Sequence, residues 1–148
     1  MRSAEIEEFG RMRKVLPLVV AIAVGLSGCN AAQSVDDAQA EVSVFHSELN
    51  DGDFAAIWRE ADEQMHSSAS REKFDRFLGA VHTKLGRAGA SKQAGWRVNA
   101  TPGGTFVILN METQFERGKG TETFTFRRSG DDIKLVGYYI VSDELIMN

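Results

Sequence analysis

Apolar side chains in this chain recur with one period before residue 86 and with another after residue 96. That change limits the fold more than any other feature. Ala38, Val42, Phe45 and Leu49 stand four, three and four apart, which lines one face of a helix. Asp36 or Asp37 is placed to cap its start, and Asn50-Asp51-Gly52 ends it. Asp53 is placed to cap a second helix, with Phe54, Ile57, Trp58, Ala61 and Met65 on one side. Ser70 reads as the cap of a third, with Phe74, Phe77, Leu78, Val81 and Leu85 inward and Gly86 closing it. Residues 86–95 hold three glycines and no large apolar group, and read as a mobile connection.

Beyond that connection the period is two. Trp96 and Val98 make a short strand that stops at Pro102-Gly103-Gly104. Val107, Leu109, Met111, Thr113 and Phe115 alternate along the next strand. Gly118-Lys119-Gly120 reads as a hairpin loop leading to Glu122, Phe124 and Phe126, and Ser129-Gly130-Asp131-Asp132 as a turn before Ile133 to Val141. Strands joined by such short loops run antiparallel. The expectation is an α+β domain of three helices on one face of a four-stranded antiparallel sheet.

The amino terminus follows neither period. Arg11, Arg13 and Lys14 precede a 12-residue uncharged run from Val15 to Leu26. As a helix that run spans about 18 Å, short of the ~30 Å hydrocarbon core. A basic start and a short apolar middle mark a secretory signal peptide. The run ends at Leu26-Ser27-Gly28-Cys29, which holds the only cysteine. This segment resembles the lipobox of bacterial lipoproteins. The resemblance implies cleavage of residues 1–28, acylation of Cys29, and a membrane-tethered protein facing the periplasm. Residues 29–36 would be a short tether and residues 37–148 a single domain. Glu5, Glu7 and Glu8 are unusual before a signal core and point to Met12 as the true start. Asn30, where an aspartate favours inner-membrane retention, points to the outer membrane.

Removing residues 1–28 leaves 120 residues, with 13 basic and 18 acidic side chains. The full chain's net charge of −4 argues against a nucleic-acid binder, which needs a basic surface, and the mature charge is −5. It also assigns the tethering to acyl chains, with no electrostatic help from anionic lipid. With its one cysteine committed to lipid, the body has no disulfide.

Gly52 through Trp58, Leu85-Gly86, Glu112-Thr113-Gln114-Phe115, Glu122-Thr123-Phe124-Thr125-Phe126 and Val136-Gly137-Tyr138-Tyr139-Ile140 together resemble a bacterial domain-of-unknown-function family, number 4019. The element order is similar to the cystatin-like, nuclear-transport-factor-2-like group, whose helices and curved sheet form a cone. The resemblance implies a fold and a location, with no catalytic motif.

Glu122 shares strand parity with Phe124 and Phe126 and so faces inward if they do. An inward carboxylate is desolvated, which suits a general base. The other reading sets it at the sheet rim, paired with a cation or bonded to Tyr138 or Tyr139. His82 flanks the third helix's stripe with Asp75 two turns earlier, either part of a cavity dyad or a half-exposed flank residue. His46 and His66 are weaker candidates. No metal-ligand spacing, phosphate loop or nucleophile elbow is present, so no metal and no cofactor is expected. Trp58, Trp96, Phe106, Tyr138 and Tyr139 suit a cavity mouth, an interface or a locally satisfied core. Phe106 and Ile108 oppose the parity of Val107 and Leu109, so one set faces away from the helices. That face is a candidate surface for a homodimer or an envelope partner.

These features lead to a non-catalytic, lipid-anchored binding or interaction module. One alternative is a small cone-fold enzyme of isomerase or dehydratase type, using Glu122 or His82. The other is a purely structural envelope accessory filled by its own side chains.

Overall fold

The computed structural model of the chain describes residues 27–147. The expected leader therefore lies outside the described residues, apart from its last two positions. Helices α1 (Ser27–Asp51), α2 (Phe54–Glu60), α3 (Glu63–Ser68) and α4 (Arg71–Leu85) precede strands β1 (Ala88–Thr101), β2 (Gly104–Phe115), β3 (Gly118–Ser129) and β4 (Asp132–Val141), and α5 (Asp143–Met147) follows. The four strands form one antiparallel sheet in the order β1-β2-β3-β4. The fold is α+β, as the change of period predicts.

The two periods meet in the core. Val42, Phe45 and Leu49 of α1 and Leu78, Val81 and Leu85 of α4 are buried against Val107, Leu109, Phe115 and Phe124 of the sheet. Each fully buried side chain of this size contributes about 1.5–3 kcal/mol. Asp53 caps α2 by accepting from the Ala56 amide at 3.0 Å, and Ser70 caps α4 by accepting from Lys73 at 3.3 Å. Gly86, at φ 76°, ends α4 in a conformation open to glycine. Arg117 then donates to the carbonyls of His82, Thr83 and Lys84, where a cation meets the negative end of the helix.

The structure differs from expectation in five places. Among the described residues there are five helices, not three. The expected second helix is two, because Ala61 and Asp62 are extended (ψ 159° and 151°). Asp62 caps α3 through Gln64, and its own amide donates 2.8 Å to the Leu135 carbonyl on the edge of β4. Asp36 and Asp37 do not cap α1, which runs through them from Ser27, with Val35 already in the core. The stretch expected to be a mobile connection is the first half of β1. It is paired to β2, with Lys92 opposite Glu112 and Gln93 opposite Met111. Its backbone order comes from that partner, so it needs no apolar residues of its own. Gly118-Lys119-Gly120 lies within β3, and the hairpin turn is Glu116-Arg117.

Both sheet edges are managed. Asp62 covers β4 at Leu135. At the other edge the Asn50 side chain accepts from the Ala88 amide at 2.7 Å and donates to its carbonyl at 2.9 Å, standing in for a strand at the start of β1.

Candidate functional site

Strand parity puts Glu122 on the helix side of β3, between Phe124 and Gly120, and its relative exposure is 0%. It does not lie at the rim. Four side chains from four elements converge around it. Thr113, on β2, donates to Oε2 at 2.5 Å. Tyr138, on β4, donates to Oε1 at 2.7 Å. The His46 Nε2, on α1, lies 2.8 Å from Oε2. Ser91, on β1, stands 2.7 Å from Thr113 Oγ1. Since the one Thr113 proton goes to Glu122, Ser91 must donate to Thr113. A chain of hydrogen bonds thus runs from exposed Ser91, through buried Thr113, to the enclosed carboxylate.

Apolar rings seal the cluster. Phe45 stacks at a tilt on Tyr138 with centroids 4.6 Å apart and meets Phe124 edge-on at 5.1 Å. Phe124 lies 5.8 Å from the His46 ring. Burial, the charge of Glu122 and the hydrogen bond to it push the Tyr138 hydroxyl well above the usual tyrosine range. Tyr138 is therefore a donor at any ordinary pH. The carboxylate's oxygens are taken up by donors, which is the condition for keeping a charge in a core.

Grooves open elsewhere among the described residues, and in three of them neither Glu122 nor His46 is in the lining. One of about 510 Å³ lies beside Thr113, Lys92, Lys119 and Ser142. A second, of about 340 Å³, has Phe45, Ile57 and Phe126 in its lining beside Glu41, Glu48 and Glu60. A third, of about 850 Å³, lies between the start of α1 and the β1–β2 and β3–β4 turns. In the second, burial and the nearby Glu60 raise the Glu41 carboxyl. Burial, Asp53, Glu60 and Glu41 raise that of Glu48 against an opposing pull from Arg59.

The other candidates do not join this cluster. His82 stays on the flank of α4, its ring 6.2 Å from that of Phe54 and its Nδ1 buried without a hydrogen-bond partner among the described residues. Asp75 accepts from Arg71 at 3.4 Å through Oδ2, and its Oδ1, like His82 Nδ1, has no hydrogen-bond partner among the described residues, so the two form no dyad. Trp58 packs on Phe74 and on His66, whose Nε2 bonds the Trp58 carbonyl at 2.7 Å. Trp96 sits on the helix side of edge strand β1 but is 54% exposed. Val107 and Leu109 face inward, so Phe106 and Ile108 lie on the open face of the sheet, with Tyr139 at 62% exposure. Cys29 falls in the first turn of α1.

His46 is the member that the sequence reading undervalued. It stands four residues after Val42 and three before Leu49, on the same helix face as both. Among the described residues no group of three His, Cys, Asp or Glu side chains is arranged to hold a metal ion. Nor is any described helix long and apolar enough to cross a membrane.

The model of a family described as "Protein of unknown function (DUF4019)" matches residues 42–138. The chain belongs to that family. The span matched by DUF4019 includes His46, Ser91, Thr113, Glu122 and Tyr138, the whole buried cluster. No curated protein matches the chain.

Proposed function

We propose that this DUF4019 protein is a lipid-anchored protein of the cell envelope, facing the periplasm and seated on the outer membrane. It works as a non-catalytic interaction module. The observation that carries the non-catalytic half is the enclosure of Glu122. The carboxylate best placed for acid–base chemistry has no exposed surface, and Thr113, Tyr138 and His46 occupy its oxygens. A general base must reach a substrate proton. We read the architecture as a cystatin-like, nuclear-transport-factor-2-like cone whose interior is filled by Phe45, Phe115, Phe124 and Tyr138. Binding then belongs to the outside, and the open sheet face with Phe106, Ile108 and Tyr139 is the surface for it.

The anchor half is supported by Arg11 to Lys14, the apolar run to Leu26, and the sole cysteine at position 29. Growth with an alkyne-bearing fatty acid tests it. The chain should take up the label and fractionate with membranes, and Cys29→Ser should abolish both. An unlabelled wild-type protein ends the anchor reading.

The filled interior also suits a purely structural accessory. A photocrosslinker at Ile108 or Tyr139 separates the two. A discrete adduct on the sheet face that is missing at Val44 on α1 supports the interaction module. Equal, diffuse crosslinking at all three positions supports the accessory.

A further inference from the structure

The helix layer and the sheet carry opposite charge. Helix α1 holds Asp36, Asp37, Glu41, Glu48 and Asp51 and no lysine or arginine. The register places Lys92, Arg97, Lys119, Arg127 and Lys134 on the open side of the sheet, with Glu112 and Asp132 as the carboxylates at those positions. Arg127 is neutralised by Asp62, at 2.8 and 3.0 Å. The other four cations lie around Phe106, Ile108, Tyr139 and Val141, Lys134 at the β4 edge where it also borders the acidic groove beside α1. A chain of net negative charge thus hides a basic face with an aromatic and aliphatic centre.

We infer that this face docks on the anionic headgroups of a phospholipid surface. The inference rests on the lipid-anchor reading and names what the interaction surface meets. Cations around aromatic groups are the composition that settles at a headgroup layer. Charge also selects the orientation, because an anionic surface attracts the sheet side and repels α1.

The reach of the chain favours lipid over a more distant partner. Seven helical residues from position 29 to 36 rise about 10 Å, against the roughly 25 Å of an extended tether. The start of α1 also lies against the β1–β2 and β3–β4 turns. The body is held close to its membrane, on the scale of the ~8 Å Debye length. A second copy is a poorer occupant. Two such faces brought together oppose Lys92, Arg97, Lys119 and Lys134 to themselves, with Glu112 and Asp132 alone to offset them.

Lysine footprinting of the lipidated protein tests this. The protein is extracted from membranes, its acyl mass verified, and it is returned to vesicles of phosphatidylcholine alone or with phosphatidylglycerol. A water-soluble acylating reagent then labels free lysines, with exposed Lys73 on α4 as the internal reference. On phosphatidylglycerol vesicles Lys92, Lys119 and Lys134 should label about fivefold more slowly relative to Lys73, a ratio matching roughly 1 kcal/mol of surface attraction per cation. The protection should vanish in high salt, on pure phosphatidylcholine, and in the Arg97→Glu/Lys134→Glu variant at Lys92 and Lys119.

Uniform labelling of an acylated protein overturns the docking and leaves the anchor standing. Absence of the acyl mass overturns the anchor itself. Protection seen only in native membranes, or only at high protein density on neutral lipid, assigns the face to a protein partner or a second copy and overturns the lipid proposal.

Discussion

The imidazole of His46, in the last third of α1, lies 2.8 Å from the carboxylate of Glu122, 76 residues away on β3, with Glu122 fully enclosed and His46 nearly so. The pair fixes the first helix to the middle of the sheet. A buried polar contact tolerates little change of geometry, so it sets how α1 lies across the strands as well as holding it there.

Removing one partner should be expensive. Glu122→Ala leaves the Thr113, Tyr138 and His46 donors facing apolar rings, at a cost of about 3–5 kcal/mol. Glu122→Gln preserves the shape and one good acceptor and should cost about 1–3 kcal/mol. Urea unfolding followed by circular dichroism gives both values. An alanine variant with the midpoint of the wild type would show that the cluster contributes nothing to stability.

Tyr138 gives stability a dependence on alkaline pH. The folded chain keeps this proton above pH 10, where an unfolded tyrosine releases it. Above that pH the unfolded chain binds fewer protons, so the contribution is complete below about pH 10 and declines as pH rises further. Tyr138→Phe should begin about 1 kcal/mol lower, for its lost hydrogen bond, and then decline less steeply. Denaturation curves from pH 8 to 11 for both proteins should converge; parallel curves would remove Tyr138 as the cause.

The acidic groove beside α1 follows the same trend in a lower pH window, so that it costs stability at neutral pH. The Glu41 carboxyl is raised from 4.5 by burial and by Glu60, so its charged form is disfavoured in the fold. Stability from this group is greatest below the unfolded value and falls as pH climbs through the folded one. Glu41→Gln should therefore raise the melting temperature slightly at pH 7 and leave it unchanged at pH 4. A loss of stability at pH 7 would mean that Glu41 has a favourable partner in solution.

Asp62 carries two duties from a 5% exposed position, capping α3 and holding Arg127. Asp62→Ala should cost about 2–4 kcal/mol, combining a lost cap with lost charge-assisted hydrogen bonds. Asp62→Asn keeps an oxygen for Gln64 and should lose less. Hydrogen exchange should show the difference first at the Gln64 amide, which donates to the Asp62 side chain, and at the amide of residue 62, which donates to the Leu135 carbonyl.

The elements legible in the sequence are those whose own residues carry the signal. The inward position of Glu122 follows from its parity with Phe124 and Phe126, and the caps at Asp53 and Ser70 from local chemistry. What escaped depends on partners. The first half of β1 takes its order from β2 and shows only glycine, alanine and polar groups by itself. Helix α5, at five residues, is too short to display a period. The break at Ala61-Asp62 depends on the Leu135 carbonyl, which no local pattern announces. The basic face is invisible in a net charge of −4, because it exists only once the register brings Lys92, Arg97, Lys119 and Lys134 to one side.

The fastenings of α1 have a mechanical meaning. From its first half to its end the helix is tied to the sheet by Asp37 to Arg128, Gln39 to Gln93, His46 to Glu122 and Asn50 to Ala88. These ties alternate between β3 and β1. A tug applied where the helix begins is therefore spread in shear over several bonds at once, and cannot peel the helix away one bond at a time. The domain is built to resist being pulled by the same end from which it would hang.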